Sequence, residues 1–195
     1  MNNLDLIKQY VNTGQAIGDY QVGKLPSNVL KSYLRKRLQA AEQDVLGEYP
    51  LTDTEFKLLS LELKREYALS RANKGGFFPE NQIKLLTPEI KKEYVLTRAS
   101  KGLTIKDEQF ELLNHNEKLN YIDLRIKRRH PIAYIQYEYI TPDKRKNYVI
   151  DRLKRWREPV TRDKFELLTP NAQQEYIEVK TQQEYIWKKQ LNNNT

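Results

Sequence analysis

The chain of 195 residues has no cysteine, one methionine, two histidines and seven glycines. Without a thiol it has no disulfide framework, no iron–sulfur cluster, no thiolate zinc site and no cysteine nucleophile. His115 and His130 lie in different segments, and neither has a metal-ligand companion at i+3 or i+4, so both read as surface or loop residues. The glycines are scattered at turns, which leaves no Gly-rich phosphate loop, and no Gly-x-Ser-x-Gly motif is present. No apolar run approaches the roughly 18 residues needed to cross a bilayer. The start, Met1-Asn2-Asn3-Leu4-Asp5, lacks the basic and apolar segments of a secretory signal. Acid pairs such as Asp107-Glu108 fall at expected helix starts, where the helix dipole explains them. These gaps predict a protein that is not an enzyme, with no cofactor, no metal, no membrane contact and no small-molecule substrate.

What the chain does have is tyrosine, 13 of them, in register. Tyr67, Tyr94, Tyr121, Tyr148 and Tyr176 are spaced 27, 27, 27 and 28, and each has a basic residue four positions on: Arg71, Arg98, Arg125, Arg152 and Lys180. Tyr33 with Arg37 belongs to the same series. An anchor recurs at Phe56, Ile83, Phe110, Tyr137 and Phe165. Five residues before each anchor stands Leu51, Phe78, Ile105, Ile132 or Val160, and three after it Leu59, Leu86, Leu113, Ile140 or Leu168. Such self-similarity at fixed period is the mark of a tandem array.

Each unit reads as a helical hairpin. The long helix opens with Thr87-Pro88-Glu89, Thr141-Pro142-Asp143 or Thr169-Pro170-Asn171, in which threonine caps free amides and proline tolerates the first turn. It stops at Gly75-Gly76 or Gly102, where a left-handed cap costs little. A short second helix follows, for example Lys106–Leu113, with Ile105, Phe110 and Leu113 on one face. No segment alternates well enough for a strand, so the fold is all-α. A hairpin this short cannot bury its apolar side alone, whereas stacked hairpins can.

The array resembles the general class of α-helical hairpin solenoids that includes tetratricopeptide repeats, although its period of 27 is shorter than their roughly 34. The expected fold is tandem short helical hairpins stacked as an α-solenoid. It forms a single domain over 1–190: a degenerate first repeat at 4–25, repeats from 26 to 168 and a C-terminal capping helix at 170–190. An Asn-rich tail fills 191–195. In this reading Tyr33, Tyr67, Tyr94, Tyr121, Tyr148 and Tyr176 are stacking residues, their hydroxyls seeking a carbonyl or carboxylate. The competing reading makes each Tyr/Arg pair a station for bases or phosphates.

Charge is uneven. Lys118–Phe165 holds 14 Lys/Arg and six Asp/Glu, a net of +8, which equals the net charge of the whole chain. The candidate contact patch is Arg125, Lys127, Arg128, Arg129, Lys144, Arg145, Lys146, Arg152, Lys154, Arg155, Trp156 and Arg157. Such a patch suits an acidic protein surface or a phosphate backbone, or is simply a solvated face. The expectation is a non-catalytic structural or assembly module, cytoplasmic or virion-associated. Its partner is another protein with an acidic surface or a multi-protein assembly. The Lys-, Asn-, Ile- and Tyr-rich composition fits a phage or viral structural protein. The alternatives are a nucleic-acid-binding repeat protein and an inhibitor or effector that docks on a host protein.

Overall fold

A computed structural model describes residues 9–10, 12–43, 51–156 and 158–192. The expected first repeat therefore falls partly outside the described residues. So do Arg157, the side chain of Trp156 and the end of the Asn-rich tail.

Twelve helices follow one another, with no strand among the described residues. They are α1 (Asp19–Val22), α2 (Ser27–Gln43), α3 (Asp53–Leu58), α4 (Leu61–Asn73), α5 (Glu80–Ile83), α6 (Pro88–Ser100) and α7 (Asp107–Phe110) in one compact unit, 1–113. In the other unit, 114–195, are α8 (His115–Lys127), α9 (Tyr134–Tyr139), α10 (Pro142–Trp156), α11 (Arg162–Glu166) and α12 (Pro170–Asn192). Short and long helices alternate. Among the described residues no helix is long and apolar enough to cross a membrane.

The long helices start as their sequences predict. Thr87 accepts a hydrogen bond from the Ile90 amide with Pro88 next in line, and Ser60 and Asn114 cap α4 and α8 in the same way. Helices α4, α6 and α8 end with the residue after the C-cap in the left-handed region: Gly75 at φ 80°, Gly102 at φ 60° and Arg129 at φ 63°. At Gly102 and Arg129 the full paired closure is present. The next amide (Leu103, His130) reaches back to the Arg98 or Arg125 carbonyl, at 3.1 and 2.9 Å.

The short helices are shorter than expected. Lys106–Leu113 is helical only over Asp107–Phe110, with Lys106 as its N-cap and a turn taking the chain on to Leu113. A single turn has little helical stability of its own, so burial of its apolar residues carries it. Phe56, Phe110 and Tyr137 are fully buried and Ile83 and Phe165 half-buried, and Leu59, Leu86, Leu113, Ile140 and Leu168 are buried just after the short helices.

Within each unit like packs on like. Long α2 rests on α4 and α4 on α6, and short α1 rests on α3 and α3 on α5; in the second unit α10 rests on α12 and α9 on α11. The rings of Phe56, Tyr67, Phe78 and Tyr94 form one continuous column, with centroids 5.3–6.1 Å apart. Tyr137–Tyr148 and Phe165–Tyr176 repeat the arrangement at 6.0 and 5.5 Å. The residue after each tyrosine is buried at Ala68, Val95, Ile122 and Val149, whereas Ile177 on α12 is 48% exposed.

Candidate functional site

All six periodic tyrosines are buried. The hydroxyls of Tyr33, Tyr67, Tyr148 and Tyr176 each accept a backbone amide sixteen residues earlier, and that of Tyr33 also donates to the Glu55 carboxylate. Tyr33 takes the Ile17 amide at 3.0 Å, Tyr67 that of Leu51 at 3.1 Å, Tyr148 that of Ile132 at 3.3 Å and Tyr176 that of Val160 at 3.1 Å. The Phe78 amide, sixteen residues before Tyr94, acts on that hydroxyl to lower its pKa against the larger effect of burial. Each of these amides belongs to the apolar residue just before the N-cap of a short helix. Burial is the leading cause that pushes the Tyr67 and Tyr94 hydroxyls above the usual tyrosine range.

The basic partners work on the same loops. Arg71 donates to the Phe77 carbonyl at 3.2 Å, Arg98 to Thr104 at 2.9 Å and Arg125 to Pro131 at 2.6 Å, six residues ahead in each case. Arg98 also donates to the Gly76 carbonyl at 2.6 Å. Arg37 instead forms a buried ion pair with Glu55 at 2.9 Å, and the same carboxylate accepts the Thr52 amide and the Tyr33 hydroxyl. Tyrosine and arginine together hold the amide before one short helix and the carbonyl before the next. At Arg37, Arg71, Arg98 and Arg125 the recurring pair is internal, whereas Arg152 pairs with Glu158 and the exposed Lys180 with Glu184.

A second recurring position was legible in the sequence but is not among the residues singled out above. The residue before each anchor is Glu55, Gln82, Gln109, Gln136 or Lys164, and Gln21 stands in the same place before the buried Val22 of α1. Gln21, Gln109 and Gln136 each accept the N-cap amide of their own short helix, at 3.0–3.1 Å. Gln82 and Lys164 reach instead to the Leu51 and Ile132 carbonyls of the preceding loop, at 2.8 and 2.6 Å. The signal was a polar residue holding the same 27-residue phase as its apolar neighbours.

The proposed basic patch separates into groups. Arg125 is buried, and Arg145 is held by the Tyr137, Glu138 and Leu167 carbonyls at 3.1, 2.6 and 3.3 Å. Lys144 pairs with Asp123 at 2.8 Å and Lys146 with Glu175 at 2.6 Å, tying α10 to α8 and to α12. Arg152 packs over the Tyr148 ring and pairs with Glu158. Lys127, Arg128, Arg129, Lys154 and Arg155 are exposed. Arg157 and the Trp156 side chain lie outside the described residues.

Four of these cations meet. A cleft of about 250 Å³ opens between the C-terminal end of α8 and α10, walled by Ile126 and the Tyr148 ring and lined by Lys127, Arg129, Arg152 and Arg155. Asp151, the one acid in its wall, pairs with Arg155 at 3.3 Å. Here α8 and α10 approach less closely than α10 and α12 do. The histidines lie elsewhere: His115 Nδ1 is 2.9 Å from the Tyr139 hydroxyl, and His130 is 3.2 Å from Arg125. No cluster of three or more His, Asp or Glu is placed to hold a metal ion among the described residues.

No family model matches the chain, and neither a curated protein nor a solved structure matches it.

Proposed function

We propose that the chain is a non-catalytic interaction or assembly module. In this reading it is an α-solenoid of short hairpins with a period of about 27 residues, presenting its repeat surface to another protein or a multi-protein assembly. The observation that carries this reading is the internal use of the recurring polar chemistry. Tyrosine hydroxyls are occupied by backbone amides, and Arg71, Arg98 and Arg125 by backbone carbonyls. What the array repeats is therefore scaffold, and recognition falls to exposed residues that differ from copy to copy. A structural role in a phage or virus particle fits the composition.

Co-purification from the native host or particle, read by mass spectrometry after cross-linking, tests the proposal. Recovery within a large protein complex is the expected result. Recovery of the chain with nucleic acid alone, lost steeply as salt rises, would replace the assembly role by nucleic-acid binding. The exposed Lys127, Arg129, Lys154 and Arg155 are what favour that second reading. Replacing Arg128, Arg129 and Arg155 by glutamine should slow association with any acidic partner and leave folding intact.

A further inference from the structure

The end of α8 carries a residue that its own fold disfavours. Left-handed backbone at this position is occupied by Gly75 after α4 and by Gly102 after α6, but by Arg129 after α8. For a side chain with a Cβ this conformation is strained, and such strain gathers where a site needs a particular group in a particular place. Nothing in the scaffold demands arginine there. Arg129 is exposed and makes no ion pair among the described residues. It lies instead in the wall of the α8–α10 cleft, facing the same 250 Å³ space as Lys127, Arg152 and Arg155.

We propose that this cleft is a binding site for a phosphoryl anion. Four cations line the cleft against Asp151 in its wall and Glu158, which pairs with Arg152, a local excess of two positive charges. A single carboxylate would neutralise one of them, whereas a phosphate group brings a charge of about −1.5 to −2 and three acceptor oxygens. Arginine forks match phosphate oxygens in pairs, and three of the four cations are arginines. The apolar wall of Ile126 and Tyr148 narrows the space and lowers its dielectric, which strengthens every charge contact inside it. The source of the phosphoryl group is either a free phosphate ester or polyphosphate, or the backbone of a nucleic acid. The site stands on its own geometry and does not depend on the assembly role.

Calorimetric titration of the full chain with inorganic pyrophosphate, and separately with a short single-stranded RNA, tests the site and its source. Saturable pyrophosphate binding is expected, and Arg155→Gln should weaken it about tenfold, the loss of one charge-assisted contact. Arg129→Gly should weaken it by a similar factor of about ten while raising the thermal midpoint by roughly 2–4 °C, because glycine relieves the backbone. A merely structural arginine would not move the two readouts in opposite directions. Lys154→Gln, an exposed cation of the same helix outside the cleft, should bind pyrophosphate like the parent. Tighter binding of RNA than of pyrophosphate, lost in the same two variants, assigns the source to nucleic acid; the reverse order assigns it to a free ligand. The proposal is overturned if pyrophosphate and RNA both fail to bind. It is equally overturned if Arg129→Gly and Arg155→Gln bind like the parent, or if Lys154→Gln loses as much as they do. None of these outcomes bears on whether the chain co-purifies with a protein assembly.

Discussion

Replacing Tyr67 by phenylalanine isolates what the recurring hydroxyl does. The ring stays, so the contacts with Phe56 and Phe78 at 6.1 and 5.4 Å stay with it. What disappears is the oxygen that accepts the Leu51 amide at 3.1 Å. Tyr67 is fully buried and Leu51 is 2% exposed, so water cannot take its place. A buried donor left without an acceptor costs about 1–3 kcal/mol, which for a chain of this length lowers the midpoint by roughly 2–12 °C. Tyr137 supplies the matched control. It too is fully buried, but its hydroxyl has no hydrogen-bond partner among the described residues. Tyr137→Phe removes a polar group that gains nothing from the fold, and should be neutral or stabilising. Urea unfolding of both variants, with the slope checked for constancy, gives the comparison. If Tyr67→Phe is as stable as Tyr137→Phe, the amide-holding role of the periodic tyrosines is wrong.

Glu55→Ala leaves Arg37 charged in a site where both partners are fully buried, and also frees the Thr52 amide; chemical denaturation should show a loss of about 3–5 kcal/mol. Tyr33, Tyr67, Tyr94 and Tyr137 all hold their protons more tightly when folded, chiefly through burial. Their stabilising contribution is complete below the ordinary tyrosine pKa of about 10 and is lost as pH rises above it, because the unfolded chain releases its protons first. Tyrosinate absorbance from these residues should therefore appear together with loss of helical circular dichroism, and an early non-cooperative rise would contradict their burial. A fragment of residues 1–113, one compact unit, should remain helical and melt at a lower temperature than the full chain; a fragment without helical signal would show that the unit cannot stand alone.

The all-helical fold was legible because it rests on periodicity, and periodicity survives any error in a single assignment. Thr87, Ser60 and Asn114 could be recognised as caps and Gly75 and Gly102 as stops, since these roles depend on residue type at one position. The length of the short helices was not legible. Phe110 and Leu113 have helical spacing, yet the chain leaves the helix between them, and both are buried in either geometry. The tyrosine's amide partner could not be read either, because a contact across sixteen residues depends on how a long helix lies against the loop before it. In the basic segment, composition misleads most. Arg125, Arg145 and Arg155 look alike in the sequence, but the first donates to the Pro131 carbonyl, the second to Tyr137 and Glu138, and only the third is exposed on the cleft. Phase decides between them: Arg125 occupies the periodic position four after a tyrosine, and Arg155 does not.

The three recurring polar positions answer a single difficulty. A hairpin of this length must turn tightly twice, and each turn leaves backbone groups that water cannot reach once the neighbouring hairpin closes over them. A helix of one turn adds to the difficulty, since its first amides have no partner within it. The tyrosine hydroxyl takes the amide before the N-cap, as Tyr67 does for Leu51. The residue before the anchor takes the N-cap amide itself, as Gln109 does for Lys106. The arginine takes the carbonyl on the other side of the loop, as Arg98 does for Thr104. Where Gln82 and Lys164 stand at the second of these positions, the side chain turns to the preceding loop's carbonyl, so the same phase also links neighbours. Apolar residues alone could bury each hairpin but could not satisfy these groups, which is why tyrosine, glutamine and arginine keep step with the anchors. The cleft proposed to hold an anion draws on that set through Tyr148 and Arg152, and Arg129 is where the sequence replaces the glycine found after α4 and α6 by a charge.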